Sequence, residues 1–318
     1  MRRILIATVV VVAAGLIWML AAYRRDIGAA RRRVSVGSVV AETRCGPIEY
    51  ADRGKGPAML VVHGAGGGFD QGLLLGAELI DHGYRVVAMS RFGYLRTPLP
   101  ADPSAEAQAD AHACLLDALG IERAAIFGVS AGGPSTIQFC LRHPDRCSAM
   151  ILLVPLAYSG QSVDRLSHPA QFLLERITQS DFLMWAGARM LRTKMVETVL
   201  GTPIEDVRAV SEGEQRRTYA LLDLILPVSL RARGLINEGA VAHALRPLPL
   251  ERISAPTLIA SVEDDGYRTY AGARYTAERV PGARFIGYPR GGHMLVGHEA
   301  EFNSEVLTFL DALRLGVQ

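Results

Sequence analysis

The chain has 318 residues, with 34 basic and 32 acidic side chains, 49% hydrophobic residues and four cysteines. That length buries a sizeable core in one large domain, or in a domain carrying an insertion, and 21% charged residues exclude a disordered tail, a coiled coil or a collagen-like fibre. The first 33 residues hold seven arginines and one aspartate against a total of +2, so the body beyond them is mildly acidic and has no footprint for a nucleic-acid backbone.

Arg2-Arg3 and Arg24-Arg25 bracket residues 4–23, a run of 20 residues without a charge. As a helix rising 1.5 Å per residue it is about 30 Å long, the thickness of a bilayer's hydrocarbon core. Trp18 and Tyr23 stand towards its C-terminal end, where interfacial aromatics belong. The run exceeds the usual apolar stretch of a cleaved signal peptide, the rival reading that the small pair Ala21-Ala22 suggests. We therefore expect a single-pass anchor in the lipid bilayer over residues 1–33, with 24–33 as a short basic linker. The excess of arginines after the run places the remaining chain on the cytoplasmic side by the positive-inside rule. Default insertion of an N-terminal signal-like segment places it outside, and the sequence leaves the two sides open.

Residues 34–43 and 47–51 alternate around Cys45-Gly46 and predict an antiparallel β start. From residue 58 the rhythm changes. Strands are predicted at 59–62, 85–89, 124–127 and 148–154, interleaved with helices at 71–81, 104–119 and 131–141. Strands at 257–260 and 284–287 and a last helix at 300–315 resume the pattern. Such alternation predicts an α/β fold with a mostly parallel sheet covered on both faces. Between Pro155 and Pro256 it stops. The helical patterns at 172–177, 182–193 and 219–226 contain no strand, and a hundred residues are too many for a loop. The expected organisation is a core at 34–155 and 251–318, with a helical cap at 156–250.

Gly128-Val129-Ser130-Ala131-Gly132 is a G-x-S-x-G motif set directly between a buried strand and a helix. That context places Ser130 as a nucleophile on a sharp turn, its flanking glycines easing the bend. A serine hydroxyl needs a base, and the base an orienting acid, in the chain order Ser, acid, His. His293, in Gly291-Gly292-His293 after the strand at 284–287, is the candidate base. His298 is a competitor that reads better as a surface residue opening the last helix. Glu263, Asp264 and Asp265 crowd the loop after the strand at 257–260, and spacing from Pro256 favours Asp265. Asp164, beyond an earlier strand, is an outside candidate.

His63-Gly64-Ala65-Gly66-Gly67-Gly68 follows the strand at 59–62, and its backbone can approach a developing oxyanion. Ala65 is the expected donor of one N–H, and Ala131 of the other. A phosphate cradle does not fit: no G-x-x-x-x-G-K-[ST] occurs, and Phe69 stands where G-x-G-x-x-G needs its third glycine. Zinc is disfavoured, because His298-Glu299 has no second histidine at the H-E-x-x-H position.

Together, His63-Gly64, the elbow at Ser130, Pro256-Thr257-Leu258 leading to Asp265, and Gly292-His293 resemble the α/β-hydrolase fold superfamily, in the branch with a helical cap. The resemblance covers roughly residues 44–315. It departs from the family at Ser90-Arg91-Phe92-Gly93-Tyr94, where Asp-x-Arg-Gly is common and Ser90 replaces the Asp. It implies a serine hydrolase acting on a small-molecule acyl substrate, an ester or related compound, with no metal or organic cofactor. A similar site cleaves carbon–carbon bonds in ring-cleavage diketones, and the scaffold alone also permits a non-catalytic binding protein. Cys140 and Cys147 flank Arg142-His143-Pro144-Asp145 and read as buried thiols in preference to a pair, while Cys114 fits the core face of its helix.

Overall fold

The computed structural model describes residues 2–160 and 175–314. In chain order the elements are helix α1 (Arg2–Ser35), strands β1 (Val39–Thr43), β2 (Gly46–Arg53) and β3 (Ala58–Val62), and helices α2 (Phe69–Leu75) and α3 (Ala77–Asp81). Next come β4 (Arg85–Met89), α4 (Ala105–Ala118), β5 (Ala124–Val129), α5 (Gly133–Arg142) and β6 (Cys147–Leu153). Then follow α6 (Asp181–Met190), α7 (Arg192–Val199), α8 (Ile204–Ala209), α9 (Glu212–Leu224) and α10 (Ala232–Ala244). The chain returns to the sheet with β7 (Thr257–Val262), α11 (Tyr270–Ala277), β8 (Arg284–Tyr288) and α12 (Glu299–Arg314).

The eight strands form one sheet in the order β1-β2-β4-β3-β5-β6-β7-β8. β1 and β2 run antiparallel and every pairing from β4 to β8 is parallel, as the change of rhythm at residue 58 predicts. Period-two alternation sorts the strand residues onto two faces. Leu60, Val87, Ile126 and Leu152 pack with Leu115 of α4 and Phe139 of α5. Met59, Val61, Val86, Phe127 and Ile151 pack with Leu79 of α3 and Phe302 and Val306 of α12. Successive crossovers go one way from β3 to β4 and the other way from β5 to β6. The carboxyl ends of β3 and β5 therefore flank a topological switch point, the place where open α/β sheets bind ligands.

Three expectations need correction. The stretch 24–33 is no linker: it continues α1 as one helix of 34 residues, and Ile27, Ala30 and Val34 are buried against the body of the protein. The helix foreseen over 71–81 is two helices, α2 and α3. They part at Gly76, whose Cβ, if present, would lie 2.7 Å from the Val86 side chain. The cysteines are not thiols. Cys45 of the β1–β2 turn is bonded to Cys114 of α4, and Cys140 of α5 to Cys147 of β6. The described residues of the inserted segment hold helices and no strand, while 172–174 of the pattern at 172–177 and all of Asp164 lie outside the described residues.

Loop closure separates the two disulfides. Cys45–Cys114 closes a separation of 69 residues and Cys140–Cys147 one of 7. Chain entropy alone then makes them worth about 4 and about 2 kcal/mol. Urea unfolding of the Cys45→Ser/Cys114→Ser and Cys140→Ser/Cys147→Ser proteins should show the greater loss in the first. A reversed order would mean that native-state packing around the bonds, and not the loop, sets their value.

Candidate active site

β5 ends at Val129 in extended conformation, and Ser130 then takes φ 51° before a 3-10 turn over Ser130–Gly132 leads into α5. A left-handed non-glycine residue costs about 1–3 kcal/mol and lifts its side chain out of the sheet edge. The flanking glycines act differently from expectation. Neither Gly128 nor Gly132 has positive φ. A Cβ on Gly128 would lie 2.2 Å from Thr136 Oγ1, and one on Gly132 would lie 2.6 Å from the Val62 carbonyl oxygen. The motif needs them for close packing of α5 on β5 and of the elbow on β3.

Ser130 Oγ lies 2.8 Å from His293 Nε2, and His293 Nδ1 lies 2.8 Å from Asp265 Oδ2. Three of the residues singled out in the sequence thus form one hydrogen-bonded relay over the carboxyl ends of β5, β7 and β8. Asp265 also accepts from the Tyr267 N–H at 2.8 Å and from the Thr269 hydroxyl. Burial alone would raise the Asp265 carboxyl, but these bonds and the adjacent imidazole hold it below its ordinary value, so it is anionic at neutral pH. Asp264 turns elsewhere: its Oδ1 accepts from the Gly292 N–H at 2.8 Å. His298 stacks on Tyr288, its ring 4.3 Å away, and pairs with Glu301.

The loop after β3 reaches the elbow closely. A Cβ on Gly64 would lie 3.1 Å from Ser130 Cβ, and Gly66 has φ 71°. Gln71 of α2 accepts from the Gly64 N–H at 2.9 Å. Among the described residues nothing accepts from the Ala65 N–H. Ala131, in the first turn after the elbow, has an N–H without an intrahelical acceptor.

Several supporting residues were not foreseen. His63 is fully buried, donating from Nδ1 to the Gly64 carbonyl and accepting at Nε2 from the Arg91 N–H at 2.9 Å. Burial and the nearby Arg91 push its pKa well below the usual value, so the ring is neutral. The Arg91 side chain bonds the carbonyls of His63 and Ala131 and pairs with Glu238 of α10, joining β3, the elbow and the cap. Ser90, in place of the family's Asp, donates to buried Glu49 at 2.9 Å and accepts from the Phe69 N–H. A carboxylate from β2 thus replaces the missing one. The carbonyl of Gly201, between α7 and α8, accepts from the N–H groups of Gly266 and His293. Tyr267 packs edge-on to the His293 ring at 4.8 Å and donates to the Val199 carbonyl at 2.8 Å. Arg91 had a sequence signal, since it lies in the altered turn; Gly201 had none.

A family model of the alpha/beta hydrolase fold matches residues 57–300, and the chain belongs to that family. Among its relatives is an uncharacterized hydrolase, YcgS, of Bacillus subtilis, 25% identical over 277 residues that cover 84% of this chain and 96% of the relative. A 2-hydroxy-6-oxononadienedioate/2-hydroxy-6-oxononatrienedioate hydrolase of Paraburkholderia xenovorans is 35% identical over 287 residues, 83% of this chain and 90% of that protein. An alpha/beta hydrolase fold protein from Nakamurella multipartita superposes with a TM-score of 0.69 at 25% identity, covering 86% of this chain and 99% of that structure.

The packing role of the elbow glycines is testable. Gly132→Ala drives a Cβ into backbone carbonyls and should lower stability by about 1–3 kcal/mol. Gly213→Ala on α9 meets only Ser211 Oγ at 3.7 Å and should be neutral or mildly stabilising. Thermal unfolding of both proteins separates these effects.

Proposed function

We propose that the chain is a serine hydrolase that cleaves a carboxylic ester or related acyl compound through an acyl-enzyme. The observation that carries this reading is the continuous Ser130–His293–Asp265 hydrogen-bond relay at the switch point of the sheet. Ser130 Oγ attacks the carbonyl carbon while His293 Nε2 takes its proton. The oxyanion is received by the N–H groups of Ala65 and Ala131. His293 returns the proton to the leaving group, and water repeats the sequence on the acyl-enzyme. Asp265 keeps the proton of the resting imidazole on Nδ1 and stabilises the imidazolium.

The relationship to a hydrolase of a dienedioate supports a second reading, carbon–carbon bond cleavage. Such substrates carry carboxylates, whereas Arg91, the buried guanidinium that bonds the elbow, is already neutralised by Glu238. That balance favours an uncharged acyl group.

We further propose that α1 tethers the enzyme to a membrane, being long and apolar enough to cross one. The two disulfides support a catalytic body on the oxidising side, against the charge bias of the flanking arginines.

The reading is tested with a p-nitrophenyl ester series beside a dienol ring-cleavage product, together with fluorophosphonate labelling. Ser130→Ala should abolish labelling and lower kcat by about 10⁴–10⁶-fold. Asp265→Asn should cost about 10²–10⁴-fold through the wrong imidazole tautomer. Asp264→Asn, which only loosens the Gly292 peptide, should cost far less. Turnover of the dienol above all esters would move the assignment to carbon–carbon hydrolysis, and turnover of esters by the Ser130→Ala protein would remove the serine mechanism.

A further inference from the structure

The C-terminal half of α1 is fixed to the cap. Tyr23 packs edge-on to Phe182 and Trp185 at 5.3 and 5.5 Å. Asp26 accepts from the Trp185 indole N–H at 3.0 Å and from Arg189 at 2.7 Å. Arg31 pairs with Asp181, and Arg33 with Asp70 and the carbonyls of Leu224 and Leu226. Burial alone would raise the Asp26 carboxyl, but the indole and the two guanidinia of Arg25 and Arg189 hold it low. The union is therefore ionic as well as apolar at neutral pH.

The level of this union decides what α6 faces. Phe182, Trp185 and Arg189 all meet the single turn of α1 between Tyr23 and Asp26. With the Arg31–Asp181 pair, α6 meets α1 over the segment from Tyr23 to Arg31. That segment begins where the apolar run closes, and the run's most apolar 18-residue window has no buried residue. α6 accordingly sits at the height where the run leaves the hydrocarbon. At that level it exposes large apolar side chains: Leu183 is 49% exposed and Met190 76%, and Leu191 just beyond is 61% exposed. Exposed cations flank them: Arg24 on α1, and Arg25 and Arg189, which share the single carboxylate of Asp26 and so leave an excess positive charge, while Lys194 on α7 is paired with Glu197.

We propose that this face of the cap rests on a lipid surface. Leu183, Met190 and Leu191 enter the boundary between headgroups and acyl chains, and the cations meet anionic headgroups. The inference rests on the reading of α1 as a membrane span. It adds that the cap, and not the helix alone, is in contact with lipid.

The test uses the full-length chain in vesicles of phosphatidylcholine and phosphatidylglycerol, with one added cysteine labelled by a nitrobenzoxadiazole fluorophore and a nitroxide carried near the lipid headgroup. Trp18→Cys reports the span and Met190→Cys the cap face. Lys55→Cys reports the β2–β3 turn, at the opposite end of the parallel strands. Contact with lipid predicts that labels at 18 and 190 lose roughly half or more of their emission to the nitroxide while the label at 55 loses little. Quenching at 18 without quenching at 190 overturns the proposal and leaves the span standing. Absence of quenching at both removes the span as well. A label at 190 that is shielded from the nitroxide yet blue-shifted in proportion to protein density would assign the face to a second copy of the chain, and also overturns it.

Discussion

The site depends on one constraint: Ser130 must hold a left-handed backbone conformation at the end of a buried parallel strand. No local preference favours that for a serine. It persists because the space around it is filled. α5 presses Thr136 against Gly128, β3 presses its last carbonyls against Gly132, and the Gly64 turn closes over the Ser130 side chain. The chain continues without slack, since the Ser130 carbonyl accepts from the Leu156 N–H at 2.9 Å. Strain on one residue is offset by the packing of three elements, and the hydroxyl is left projecting to where a histidine from the loop after β8 can meet it.

Much of this was legible in the sequence. The strands, the order of the relay residues and the apolar helix all follow from periodicity and from short motifs with a fixed structural context. Asp265 could be preferred to Asp264 by its spacing from Pro256, while its neighbour could not be given a task. Its task is to hold the peptide of Gly292, a backbone partner that leaves no pattern in residue types. The same holds for the Gly201 carbonyl. The cysteines were misread because pairing depends on Cα separations of 6.1 and 5.3 Å, which only the packing of α4 on the β1–β2 turn and of α5 beside β6 creates. The linker was misread for a related reason. Arginine-rich residues that look solvated find Asp181, Asp70 and cap carbonyls 37 to more than 150 residues away.

The altered turn after β4 shows how a departure from a family pattern can leave its geometry intact. Ser90 is too short and uncharged to organise the turn alone. It does so as an intermediary, donating to Glu49 and accepting from the first N–H of α2, while Arg96 balances the buried carboxylate at 2.7 Å. A buried carboxylate needs such a full set of donors, since its desolvation is otherwise uncompensated. The charge has moved from the turn to the neighbouring strand, and Arg91 is free to join the elbow to the cap.

These connections make α1, the cap and the relay one mechanical series. Arg33 ties α1 to the carbonyls at the end of α9, and Trp185 and Arg189 tie it to α6. The peptide after α7 then holds the backbone N–H of His293, and Tyr267 bridges the end of α7 to the imidazole ring. The histidine is consequently positioned from two sides, by Asp265 from the sheet and by Gly201 from the cap. A cap that swung fully away would break the Gly201 bond and withdraw Val199 from Tyr267, loosening the imidazole that bonds the Ser130 hydroxyl. Because each link is a hydrogen bond or ring contact to a defined atom, substrate entry is more economically served by movement within the cap than by its removal. The length of α1 docked on the cap, from Met19 to Arg33, acts against removal from the other side.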